Sequence, residues 1–201
     1  MAVVGIASGW AVRWTSVRLA RGEELEVSQG RLPVYGPAVL AAFTFAAFGN
    51  HYASDWVALG FRCAVAVVLI QVLFFDLEHG LILDRVLFPS IALAVFLGFF
   101  KQPWWEGIAT GLVAGLGFVL LGVVGSALLK ADAVGFGDAK LAVLVGLLLG
   151  PSATAEALFT AFALAGLVAI GVAIWQRSLK GSVAFGPFLV AGTLIVLYFV
   201  P

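Results

Sequence analysis

Residues 134–141 read Val134-Gly135-Phe136-Gly137-Asp138-Ala139-Lys140-Leu141 and stand between two apolar runs, Gly107 to Leu129 and Ala139 to Gly150. An aspartate and a lysine thus interrupt material suited to a bilayer, with glycines one and three residues ahead of the aspartate. Glycine opens backbone angles closed to other residues and lets another chain come close. A carboxylate set this way at the end of a span points to chemistry on a peptide. The competing reading makes Asp138 the cap of the helix that follows, because aspartate is a favoured N-cap. On this stretch alone both readings stand open.

The rest of the chain fits a membrane. Of its 201 residues 63% are hydrophobic and 11% charged, against roughly 25% charged in a soluble domain, and mean hydropathy is +1.12. A spanning helix needs ~20 apolar residues. Eight runs read as spans: Val3 to Val17, Pro37 to Phe48, Trp56 to Phe75, Val86 to Phe100, Gly107 to Leu129, Ala139 to Gly150, Ala155 to Trp175 and Val183 to Val200. The expected fold is all-α, a polytopic helix bundle of about eight transmembrane helices. Several runs fall short of a full crossing and need shielding by neighbours or a re-entrant path. The spacing Gly111-x-x-x-Gly115 reads as a helix-packing stripe.

Charge orients the bundle. With the N-terminus outside, Arg18, Arg21, Arg31, Arg85, Lys130, Lys140, Arg177 and Lys180 fall inside, and only Arg62 and Lys101 outside, with Arg13 within the first span. Cytoplasmic loops carry the excess of Lys and Arg, so both termini lie outside and Asp76, Asp84, Asp132 and Asp138 lie on the cytoplasmic side. A net charge of zero gives no pointer to nucleic acid. The single cysteine, Cys63, sits in an apolar run and reads as a buried structural thiol, which excludes a disulfide framework and a cysteine zinc site. Met1-Ala2-Val3-Val4 has no basic region and no cleavage pattern follows, so it is not read as a signal peptide.

Ionisable groups at membrane depth are expensive. Asp76 ends the third run, within Phe75-Asp76-Leu77-Glu78-His79-Gly80-Leu81-Ile82-Leu83-Asp84, and Asp138 opens the sixth. Both are expected near the cytoplasmic boundary. Two neighbouring carboxylates share a proton; one member then activates water while the other protonates the reacting carbonyl or leaving amine. That is aspartyl protease chemistry, with no metal, cofactor or covalent intermediate. Asp84 reads as a cap or a partner of Arg85. Glu78 and Asp132 read as solvated loop charges and His79 as a structural or exposed loop histidine. Lys140 either holds the Asp138 carboxylate, binds a substrate carboxylate, or snorkels to the interface.

With these residues in view the chain resembles the prepilin peptidases, the type IV leader peptidases of the GxGD aspartyl protease class. Asp76 to Asp84 is similar to the family's first-aspartate motif, with Leu83 in place of the usual proline. Gly135-Phe136-Gly137-Asp138-Ala139-Lys140-Leu141 matches the second, and Ala184-Phe185-Gly186-Pro187-Phe188-Leu189 the C-terminal Phe-Gly-Pro-Phe signature. The resemblance implies that Asp76 and Asp138 are the catalytic pair. It implies that Gly135, Gly137, Lys140, Gly186 and Pro187 shape the site or bind substrate. The implied substrate is a prepilin or pseudopilin with a class III signal peptide, serving a type IV pilus or type II secretion, cut on the cytoplasmic face of the inner (plasma) membrane. Residues 1–36 would then form a first span and a short loop, and residues 37–201 the peptidase domain. The family's paired Cys-x-x-Cys motifs are missing from Arg18 to Arg31, and Arg13 stands where its first span carries asparagine. Peptidase activity without N-methyltransferase activity is therefore expected.

Two other classes compete. A proton- or ion-coupled transporter would use the same aspartates as intramembrane ligands, but favours acids at mid-span and an inverted repeat. An inactive scaffold would have no need of both aspartates.

Overall fold

The computed structural model of the protein describes residues 1–26, 30–129, 135–176 and 185–200. Among them the chain forms eight α-helices: α1 (Ala2–Gly22), α2 (Arg31–His51), α3 (Trp56–His79), α4 (Asp84–Gly98), α5 (Trp105–Leu129), α6 (Phe136–Leu149), α7 (Pro151–Gln176) and α8 (Gly186–Phe199). Helices satisfy every interior backbone group within one segment, which apolar surroundings demand. The chain is an all-α membrane protein. Of the residues read above, Lys130, Asp132, Val134, Arg177, Lys180, Val183 and Ala184 lie outside the described residues.

Four helices, α2, α3, α5 and α7, are long and apolar enough to cross a bilayer. The helices α4, α6 and α8 have 15, 14 and 14 residues and so reach only about 21–23 Å. Helix ends depart from the apolar runs because polar residues extend them. α1 continues past Val17 to Gly22, with the Arg18 guanidinium 4.1 Å from the Trp14 ring. α2 starts at Arg31, so Pro37 lies inside it rather than at its start. α3 continues past Phe75 by one turn.

The helices group into two compact units, Met1–Leu81 and Ile82–Pro201. In the first, α1 packs on α2 through small residues: a Cβ on Gly5 would lie 2.6 Å from the Ala42 Cα, and one on Gly9 would meet the Ala38 backbone. Polar groups join α1 to α3. Thr15 Oγ1 donates to Gln71 Oε1 at 2.6 Å, and Gln71 Nε2 donates to Ser16 Oγ at 2.6 Å. At the other end of α3 the Asp55 carboxylate accepts from the amides of Val57 and Ala58, and Arg62 stacks 3.9 Å over the Tyr52 ring. Cys63 is buried.

In the second unit α6 is the core, with Leu141, Ala142, Leu144 and Val145 almost wholly buried against α4, α5, α7 and α8. A helix apolar on all sides belongs in such a place. The Gly111-x-x-x-Gly115 stripe packs on it as expected: a Cβ on Gly111 would stand 2.9 Å from the Val143 carbonyl oxygen. Gly146 faces it from α6, and a Cβ there would lie 2.6 Å from the Gly111 backbone. Because both sides of this contact are main chain, Gly146→Ala is expected to force α5 and α6 apart and cost about 1–3 kcal/mol. Gly60, where a Cβ would meet nothing, is the control. Gly60→Ala should be neutral or stabilising by up to about 1 kcal/mol. Thermal unfolding in detergent reads both.

Candidate active site

Asp76 belongs to the first unit and sits in the last turn of α3. The turn is closed by Gly80, whose φ of 64° suits glycine and whose amide donates to the Asp76 carbonyl oxygen at 2.7 Å. The Asp76 side chain is buried, and its Oδ2 has no hydrogen-bond partner among the described residues. Buried polar atoms in folded proteins are nearly always paired. An acidic residue here also faces the partial negative charge at the C-terminal end of a helix.

The turn that carries Asp76 is held by groups around it. Glu78, expected as a solvated loop charge, is instead helical and 5% exposed at its side chain. Its carboxylate accepts from Arg13 at 2.8 Å, and the Arg13 side chain is 10% exposed. The extra turn of α3 is the reason, since it carries Glu78 onto α1. His79 stacks on Phe75 with ring centroids 4.4 Å apart, and its Nε2 donates to the Glu26 carbonyl oxygen at 3.0 Å. That is the structural reading of His79, in a helix rather than a loop. A cleft of about 170 Å³ lies beside the turn, lined by Leu32, Pro33, Phe74, Leu77 and Glu78.

Asp138 belongs to the second unit and is buried. The N-cap of α6 is Gly135, not Asp138, which lies in the first turn with its amide donating to the Gly135 carbonyl oxygen at 3.1 Å. An acidic residue there complements the positive end of the helix. A Cβ on Gly137 would fall 2.9 Å from the Ile82 Cβ, so this glycine admits a side chain of its own unit. Lys140 Nζ donates to both oxygens of Asp84, at 2.6 and 2.8 Å, and stands 5.2 Å from the Phe88 ring. The ammonium therefore joins α6 to α4. The N-cap of α4 is Leu83, and Asp84 lies in its first turn. Gly186 and Pro187 open α8. Phe185, just ahead of them, packs its ring 4.8 Å from Phe162 and 5.4 Å from Phe118.

Unforeseen in the sequence were the pairing of Arg13 with Glu78 and the place of Ile82 against Gly137. A signal existed for the pair, since two opposite charges next to apolar runs are cheaper together than apart. Among the described residues no group of three or more His, Cys, Asp or Glu side chains is placed to hold a metal ion. In chemical terms the described residues offer Asp76 and Asp138 as buried carboxylates, each in a terminal turn of its helix.

The type IV leader peptidase family model matches residues 63–170, slightly more than half of the chain and a span that contains Asp76, Asp84, Gly137, Asp138 and Lys140. No curated protein and no solved structure matches the chain.

Proposed function

The chain belongs to the type IV leader peptidase family, and from that premise we propose that it is an aspartyl endopeptidase for prepilin-like or pseudopilin-like proteins. It removes their short leader on the cytoplasmic side of the inner membrane, with Asp76 and Asp138 as the catalytic pair. One carboxylate takes a proton from water, and the water oxygen bonds to the carbonyl carbon of the peptide. The other carboxyl group gives its proton to the carbonyl oxygen. As the tetrahedral adduct collapses, the C–N bond breaks and the departing amine takes up a proton. Gly135, Gly137, Gly186 and Pro187 shape the path of the substrate, and Lys140 shapes it through Asp84. The proposal is for peptidase activity without N-methyltransferase activity, in keeping with the absence of cysteine from residues 18–31.

The observation that carries this reading is the buried Oδ2 of Asp76, unpartnered among the described residues. Leaving a buried acceptor unmade costs about 1–3 kcal/mol, and a fold retains that cost where a group has work to do on something it binds. Family membership supports the peptidase over the ion-coupled transporter.

The test is co-expression of the chain with a prepilin-like or pseudopilin-like protein from the same cell, read by gel mobility. The expected result is a faster-migrating product cut ahead of the hydrophobic helix. No shift for any such protein, with the chain present in the membrane, would overturn the proposal.

A further inference from the structure

Among the described residues three buried side-chain polar atoms have no hydrogen-bond partner: Asp76 Oδ2, His79 Nδ1 and Thr154 Oγ1. Such atoms are rare in folded proteins. Two of the three share the last turn of α3, and one of those two belongs to an aspartate already assigned to the site. Residues three apart on a helix are neighbours, with Cβ atoms about 5–6 Å apart. Asp76 and His79 therefore present their unmade hydrogen bonds on one face.

The other nitrogen of His79 decides what Nδ1 can do. Nε2 stands 3.0 Å from the Glu26 carbonyl oxygen. A carbonyl oxygen only accepts, so Nε2 carries a hydrogen, and in a neutral ring Nδ1 is then an acceptor. The ring cannot turn over without losing that bond. It is also stacked on Phe75, with centroids 4.4 Å apart and planes 25° from parallel. A helical side chain leaning on the residue four before it lies over the preceding turn, which is the turn of Asp76. His79 is thus held in place with one acceptor to spare.

An ionised Asp76 also only accepts. Two acceptors cannot satisfy each other, whereas one hydrogen between them serves both. Neither atom is open to solvent, so that hydrogen has to arrive on Asp76 itself. Peptide hydrolysis supplies it, because one carboxylate of the pair takes a proton from water.

We propose that His79 is a positioning residue for Asp76, and that Asp76 is the member of the pair that takes the proton. This rests on the peptidase reading and assigns the roles within it. An O–H bond of water breaks, its oxygen bonds to the peptide carbonyl carbon, and its proton passes to Asp76. Asp138 gives its own proton to the carbonyl oxygen. A half-turn of the Asp76 carboxyl group about Cβ–Cγ brings the new O–H to His79 Nδ1, which holds it there. When the C–N bond breaks, the departing amine takes the proton from Asp76, and the re-forming carbonyl returns the other proton to Asp138. His79 touches no substrate and keeps its own hydrogen throughout.

Two amide variants separate the two ring nitrogens. In His79→Gln the amide N–H takes the place of Nε2 and still donates to Glu26, while nothing stands at Nδ1. In His79→Asn the amide oxygen takes the place of Nδ1 and still accepts, while the Glu26 bond is lost. Both lose the ring stack, which drops out of the comparison. The full chain is purified in detergent and given a prepilin-like protein. His79→Gln is expected to lower kcat on the order of ten-fold, the worth of one hydrogen bond, with KM unchanged. His79→Asn is expected to cut faster than His79→Gln although it melts at a lower temperature. A merely structural histidine would give the opposite order, with activity following stability. Wild-type kcat in His79→Gln, or slower cleavage by His79→Asn than by His79→Gln, would overturn the proposal and leave the peptidase reading standing. If either variant fails to reach the membrane, nitrogen NMR of the histidine-labelled chain decides, with His51→Asn assigning the two histidines. A hydrogen on Nε2 of His79 and none on Nδ1 is expected, and a hydrogen on Nδ1 would overturn the proposal. A wild-type chain that cuts no such protein would sink the peptidase reading and the role of His79 with it.

Discussion

Asp138→Asn, present in membranes at the wild-type level, is expected to leave a prepilin-like substrate uncut, with cleavage reduced on the order of 10²–10⁴-fold, the usual worth of a positioned acid or base. Asparagine keeps the shape of the side chain in the first turn of α6, so the seam with α5 and the Lys140–Asp84 pair should persist. What it loses is the capacity to take or give a proton. Asp76→Asn is expected to do the same, with one difference. The buried position of Oδ2 has no partner among the described residues, so an amide N–H₂ set there leaves a donor unmet at a cost of about 1–3 kcal/mol. Protein level has to be measured beside cleavage for that variant. Asp84→Asn, which removes half of a partly exposed ion pair, should retain most of the cleavage. Quantitative gel mobility on co-expressed substrate separates the three. Retained cleavage in Asp138→Asn would end the aspartyl mechanism.

The largest effect on stability is expected from Glu78→Ala. Its carboxylate and the Arg13 guanidinium are 5% and 10% exposed and 2.8 Å apart. Removing one partner of a buried ion pair leaves the other charge in a poor solvent and typically costs about 3–5 kcal/mol. Replacing both partners by apolar residues of similar size is often far milder, so Arg13→Met with Glu78→Leu should recover much of the loss. Detergent-solubilised protein, followed by thermal unfolding, would show this as a large drop for the single change and a smaller one for the double. Equal stability of Glu78→Ala and wild type would mean that water reaches the pair. Because the pair clasps the turn holding Asp76, cleavage should follow stability in the same series.

The parts of the structure that were legible in the sequence are those written in local pattern. Apolar runs marked the helices because a lipid-facing helix has to be apolar over most of its length. Gly135, Gly137 and Asp138 marked a helix start because few other residues crowd together there, although the cap fell to Gly135. Gly111 and Gly115 marked a packing face through their spacing. Illegible were the partners of the charges, for Arg13 and Glu78 are 65 residues apart in the chain and Lys140 and Asp84 are 56 apart. No local rule joins such residues; only the packing of α1 on α3 and of α4 on α6 does. Helix ends were misplaced where the final turn is polar, as with Glu78 and His79, since hydropathy falls before the backbone leaves the helix.

The shortness of α6 bears on how the protein is made. A segment of 14 residues, about 21 Å long, is too short to partition into a bilayer on its own, where ~20 residues are needed. Its companion α5 is 25 residues long, and the two meet main chain to main chain through Gly111 and Gly146. During synthesis α6 is therefore expected to enter the membrane as the second limb of a hairpin with α5. A chain truncated before α6 should still leave α5 inserted, whereas α6 deprived of α5 should remain in water.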